Sequence, residues 1–375
     1  MDMNFSNALR YDRILELQTY LVEMNKQALA NHFGTEYVPL NSALGRDVMY
    51  FQPLMLAPSD RKEVVKYIIG STEPGLKSVY NRAANIFATF FFGPSSIYNL
   101  LSGQADHEKA FVDFERVAVD PSYVAEIKAN IAYGRLHGFK LWTTTELHTS
   151  LQTEARNFCR IKHNLSDRPA TETDLIEWIA SWIKGGQIDK ILKAQTLRGA
   201  YDAITSIRGV GPYYAGNPVM MIASLPEANC SHMEAFCAPG GGAIKTLEYL
   251  FDRKLGFELA VKAIAWVFEN QKKLMPELFV HEAFQNLTMP YGALWKTNQD
   301  VYTCNAFEVG MCQFSVYRKF LEEPDAIKRR LNPPAPDLEA LASRVAGNPL
   351  AAPGKPKKAI EPLLPTALNL LSFDD

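Results

Sequence analysis

A chain of 375 residues, 47% hydrophobic and 21% charged with a formal net charge of −2, has an ordinary globular composition with room for one large or two modest domains. No apolar run is long enough to cross a bilayer, and the N-terminus “MDMNFSNALRYDRILELQ” lacks the basic-then-apolar layout of a signal peptide, so a soluble, cytoplasmic protein without membrane partners is expected. Five cysteines, an odd number, argue for reduced thiols rather than a disulfide framework, and the balanced charge leaves any grip on a phosphate backbone to a local patch or to backbone amides.

The pattern along the chain is helical. “NALRYDRILELQTYLVEMNKQALANHF” repeats apolar residues at steps of three and four, and Gly34 can end it. “IFATFFFGPSSIYNLL” is broken by Gly93-Pro94-Ser95-Ser96 into two buried pieces. In “TETDLIEWIASWIKGG” Thr173 can cap the start, Leu175, Trp178, Ile179 and Trp182 share one face, and Gly185-Gly186 stop the helix. “GFELAVKAIAWVFENQKKLM” is a further amphipathic helix ending in lysines that suit the negative end of its dipole. With no sustained alternation between turn signals, a mainly α fold with little or no sheet follows. The expected organisation is an N-terminal helical region over 1–165, a second helical region over 166–330 and a Pro/Ala-rich tail over 331–375.

Two glycine-containing stretches carry the chemistry. In “EAFCAPGGGAIKTLEYLF” a Walker loop would need glycines where Ile244 and Pro239 stand, so no nucleotide-binding P-loop is present. Gly240, Gly241 and Gly242 either leave amides bare at a helix start for an anion, with Lys245 one turn in, or form a flexible turn. Upstream, “AYDAITSIRGVGPYYAGNPVMMIASL” has the layout of a helix-hairpin-helix. An apolar segment ends at Ile207, Arg208, Gly209 and Gly211 form the turn, and Pro212 opens the next helix before Tyr213 and Tyr214. Such a turn binds a nucleic-acid backbone without regard to sequence, and its presence favours the anion-binding reading of the triple glycine.

The hairpin points to a DNA-glycosylase-like helical architecture, two lobes around a cleft into which a base is flipped. The lysine used by some excision glycosylases would fall at Tyr213 or Tyr214, and “EANCSHMEAFC” offers no catalytic aspartate. Cys230, His232 and Cys237 are irregularly spaced and name no fourth ligand, so no metal site is read.

“IRGVGPYYA”, “EAFCAPGGGAIKTLEYLF” and “FEVGMCQFSVYRKF”, in that order, resemble the bacteriophage amino acid:DNA transferases, also called α-glutamyl/putrescinyl thymine pyrophosphorylases, and the helical domain of phage hydroxymethyluracil DNA kinases. Glu234, Glu308, Cys312, Phe314 and Tyr317 stand at the family's motif positions, while Gln313 replaces its usual Glu and Ser315 its usual Asp. The resemblance implies an enzyme that replaces the pyrophosphate of pyrophosphorylated 5-hydroxymethyluracil in DNA with an amine, an amino acid or a polyamine. Its partners would be modified DNA and a small amine. It would need no redox cofactor or nucleotide, though a divalent cation on the pyrophosphate is compatible. Glu234 or Glu308 would then serve as base, Lys245 and the glycine amides would steady the leaving group, Tyr213 and Tyr214 would meet the base, and Cys312, Gln313, Phe314 and Tyr317 would line the site. A glycosylase-like excision enzyme and a non-catalytic DNA-binding module beside a kinase remain the alternatives.

Overall fold

The computed structural model describes residues 3–33, 68, 76–92, 101–103, 111–136, 149–167, 171–280 and 302–322. The described residues form helices joined by turns, with no strand among them. The helices that matter below are α1 (Tyr11–Phe33), α2 (Val79–Phe92), α3 (Pro121–Leu136), α4 (Thr149–His163), α5 (Glu172–Lys184), α6 (Gln187–Leu192), α7 (Leu197–Thr205), α8 (Pro212–Ile222), α9 (Gly241–Phe251), α10 (Phe257–Glu269) and α11 (Cys304–Glu322). Gly34, the 93–96 break and the tail over 331–375 lie outside the described residues. None of these helices is long and apolar enough to cross a membrane.

They gather in two groups. In the first, α5 packs against α2, α3, α4 and α6. Its buried face is the one the sequence marks, with Leu175, Ile179 and Trp182 sealed and Trp182 edge-on to Phe87 and Phe91 of α2. The helix starts two residues earlier than read. Thr171 stands at its cap, its amide donating to the Asp174 carboxylate at 2.7 Å, and Thr173 is buried within the helix. Gly185 and Gly186 end it, Gly186 at φ 71°, a conformation that glycine adopts without cost. Two buried asparagines on α2 bind the segment before Phe114. Asn85 exchanges hydrogen bonds with the Val112 backbone, and Asn81 accepts from the Phe114 amide.

In the second group α9 lies along α11, with α10 and α1 packed around them. The N-terminal helix is bolted to the far end of α9. Arg13 donates to the Tyr249 carbonyl at 2.6 Å, and Arg10 and Arg13 both pair with Asp252, so two cations stand at the negative end of α9. Tyr20 of α1 stacks on Tyr317 and tilts against Phe314 of α11. The apolar helix α10 ends at Asn270, so Lys272 and Lys273 fall in a separate turn. There Gln271 is buried and binds both backbone groups of Tyr302, fixing the approach to α11. Helices from either side of residue 165 therefore share a core: α1 with α9 and α11, α4 with α5.

Candidate functional site

The helices α7 and α8 pack side by side across the turn 206–211. Thr196 caps α7 by accepting from the Gly199 amide at 3.0 Å. After Ser206 the Val210 amide donates to the Ile207 carbonyl at 3.0 Å, while buried Ile207 and Val210 anchor the turn to the core. Gly209 has φ 90°, which a side chain would strain, and Gly211 is extended and precedes Pro212, the first residue of α8. Gly211, the residue before α8, has no side chain with which to cap it, and a Cβ there would meet nothing within 4 Å. The turn leaves open space at Gly211. Arg208 projects from it, 86% exposed, and pairs with Glu154 of α4 at 3.0 Å. Tyr213 and Tyr214 occupy the first turn of α8, and their side chains lie outside the described residues.

The same turn walls a cavity of about 510 Å³. Trp178 and Trp182 of α5, stacked edge-on at 4.8 Å, and Phe158 of α4 give it aromatic surface. Glu154, Lys190 and Arg208 give it charge of both signs, and Ser181, Gln187 and Ser206 add neutral polar groups. The indole N–H of Trp182 is buried and finds no acceptor among the described residues. A planar polar ring with an anionic substituent is the kind of ligand that suits these walls.

The triple glycine is arranged differently, and its contacts correct the reading of Gly240 and Gly242 as amides bared for an anion. The Gly240 amide donates to Glu308 of α11 at 2.9 Å, and the Gly242 and Ala243 amides lie against the Cys312 sulfur. A Cβ on Gly242 would stand 2.6 Å from that sulfur and 3.2 Å from the Cys312 backbone, so this glycine is demanded by helix packing. Thr246, one turn on, donates to the Met311 carbonyl at 2.6 Å. Gly242 and Thr246 are thus one face of α9 pressed onto α11, and the Gly240, Gly242 and Ala243 amides turn to α11 rather than to a phosphate. Gly241 alone of the three is exposed, and Lys245 is exposed on the next turn.

The two carboxylates singled out from the sequence are both engaged. Glu234 accepts from the Leu197 amide at the start of α7 (2.9 Å) and from the Ser231 amide (3.1 Å), tying its loop to the hairpin. Glu308 is 6% exposed beneath Gly240, and burial pushes its carboxyl up to about 7 against the opposing pull of the Gly240 amide. Burial and the nearby Glu308 likewise push the Cys312 thiol up to about 11. Phe314 and Tyr317 are buried in the aromatic stack around Tyr20, so they fill the core instead of lining an open site, while Gln313 is half-buried. Cys230 and Cys237 are buried, and Cys237 donates weakly to Asn305.

The expected residues thus divide. Arg208, Gly209 and Gly211 gather at an open turn, whereas Gly240, Gly242, Glu308 and Cys312 gather at a closed helix contact. The two places are neighbours: Gly216 of α8 packs on Ala238, its would-be Cβ 3.2 Å from that carbonyl, about 6 Å along the helix from Pro212. Glu154, Trp178 and Lys190, which build the cavity beside the turn, were not singled out for chemistry. Trp178 was visible only as one residue of an apolar helical face.

A family model described as “5-hmdU DNA kinase, helical domain” matches residues 135–320. The chain is similar to that helical domain. The matched stretch runs from the end of α3 through most of α11 and takes in both glycine turns and the residues of the cavity. No curated protein and no solved structure gives a match.

Proposed function

We propose that this protein modifies thymine-type bases in DNA, replacing the pyrophosphate on a pyrophosphorylated 5-hydroxymethyluracil with an amine. The observation that carries the reading is the turn at Arg208–Pro212, with Arg208 exposed and open space at Gly211, which forms the wall of an aromatic cavity inside the stretch similar to the 5-hmdU DNA kinase helical domain. The first-turn amides of α8 and the Arg208 guanidinium engage the phosphates of the strand, and the flipped base enters against Trp178 and Phe158.

The chemistry needs a base for the attacking ammonium and positive charge for the leaving group. Glu154, on the cavity wall and paired with Arg208, is placed to take the proton better than Glu308, which is sealed, or Glu234, whose oxygens hold two amides. The freed amine lone pair attacks the 5-methylene carbon. The carbon–oxygen bond to pyrophosphate breaks, and its electron pair leaves with the pyrophosphate, steadied by Lys190. The matched description names a kinase rather than a transferase, so the amine-transfer step rests on the ordered motifs and the cavity's charges.

The test is to incubate the protein with DNA carrying pyrophosphorylated hydroxymethyluracil and a panel of amino acids and polyamines, then digest to nucleosides for mass spectrometry. An α-aminated thymidine with matching release of pyrophosphate is expected, and the Glu154→Gln protein should bind the DNA but form little product. Unaltered nucleosides with every amine would refute the transfer reaction.

A further inference from the structure

On the side of α5 that faces α4, Cys159, His163 and Glu177 converge. Their sulfur, ring nitrogen and carboxylate oxygen all lie within 4.8 Å of one another. Cys159 and His163 are one turn apart on α4 and share a face, and Glu177 reaches across from α5. We propose that these three side chains form a binding site for a divalent cation of the zinc class, with a fourth position opening on the adjoining cavity. That cavity, about 280 Å³, is lined by His163 and Glu177 together with Thr171, Thr173 and Lys128.

The donor set selects the ligand. A thiolate, an imidazole and a carboxylate suit zinc, whereas calcium and magnesium prefer oxygen alone. Neighbouring donors of a tetrahedral zinc stand roughly 3.3–3.8 Å apart, so the widest pair closes by about 1 Å through side-chain rotation. The narrowest gap, His163 Nε2 to Glu177 Oε2 at 2.6 Å, widens by a similar amount. Without a cation the Glu177 charge is held by Lys162 at 2.6 Å and by His163, and the Cys159 thiol makes only a long 3.7 Å contact to the Asp174 carbonyl. Binding therefore releases the thiol proton and displaces the Lys162 ammonium from Glu177. The metal would join α4 to α5, the two helices whose other residues, Glu154, Phe158, Trp178 and Trp182, build the larger cavity.

The full-length protein, purified with chelator, is titrated with cobalt(II) and with zinc. One cobalt per chain, a sulfur-to-cobalt charge-transfer band in the near ultraviolet and a zinc-dependent rise in Tm are expected. Cys159→Ser should lose the band. His163 is 41% exposed, so His163→Gln leaves the fold intact and should weaken binding at least about tenfold. Lys162→Met, which removes the competing cation, should tighten it. The last result separates a metal site from a plain ion-pair cluster, which Lys162→Met would only disrupt. No band and no Tm shift in the wild type, a band that survives Cys159→Ser, or unchanged affinity in both His163→Gln and Lys162→Met would overturn the site.

Discussion

The turns at Arg208–Pro212 and Pro239–Gly242 look alike in sequence: glycines and a proline running into a helix. One is held to the core by Ile207 and Val210 while Arg208 is exposed and Gly211 borders open space. In the other, α11 supplies Glu308 and Cys312 to the first amides of α9 and leaves no room for a Cβ on Gly242. Both obey the rule that bare amides at a helix start need acceptors. They differ in where the acceptor comes from: the protein itself in one case, and in our reading a DNA phosphate in the other. Glycine before a helix thus signals either a ligand or a close helix contact. The deciding question is what stands within a bond's length of the amides.

Of the residues at the two turns, Glu308 should contribute most to a measurable difference in stability. Its folded carboxyl titrates near 7 against an ordinary 4.5, so over that interval the folded state binds more protons than the unfolded chain. Unfolding free energy must then fall as pH rises, by about 3 kcal/mol across the window, and stay low above it. Glu308→Gln keeps an acceptor for Gly240 but does not titrate. Denaturant melts between pH 4.5 and 8 should slope downward for the wild type relative to the variant, and parallel curves would place Glu308 in a less buried setting than described here.

Next in size is the packing of the glycine run. Gly242→Ala should cost about 1–3 kcal/mol by pushing α9 off Cys312, with partial recovery in the Cys312→Ala background. Gly241→Ala, whose Cβ meets nothing within 4 Å, should be neutral or slightly stabilising. Equal losses at 241 and 242 would contradict the closed contact. Glu234→Ala comes third. It strips the acceptor from the Leu197 and Ser231 amides and should lower stability by about 1–2 kcal/mol in thermal melts, with the hairpin loosened. The smallest change in stability belongs to Gly211→Ala, within about 0.5 kcal/mol, because its Cβ enters open space.

Much of this was legible in the sequence. The stop of α5 at Gly185-Gly186, the glycine turn that ends at Pro212 and the helical character of the chain follow from local chemistry that neighbouring residues fix among themselves. The closure of the triple glycine was not, because its acceptor lies 68 residues downstream and nothing in “PGGGAIKT” names it. Thr246 and Gly242 are four residues apart, the spacing of a packed helix face, and that was the available sign that the run was contact rather than cradle. The cavity escaped for a related reason: Glu154, Trp178, Lys190 and Arg208 come from separate helices, and each looks ordinary in its own segment. Cys159 and His163 show a ligand-like spacing on α4, but Glu177 joins them only once α5 folds back.

Whether DNA is held at the Arg208 turn and not at the triple glycine is decided by measuring DNA affinity against salt for the wild type, Arg208→Ala and Lys245→Ala proteins. We predict that Arg208→Ala weakens binding and lowers the salt slope by about one counterion, while Lys245→Ala leaves both unchanged. The same loss in Lys245→Ala, with Arg208→Ala indistinguishable from wild type, would contradict the account.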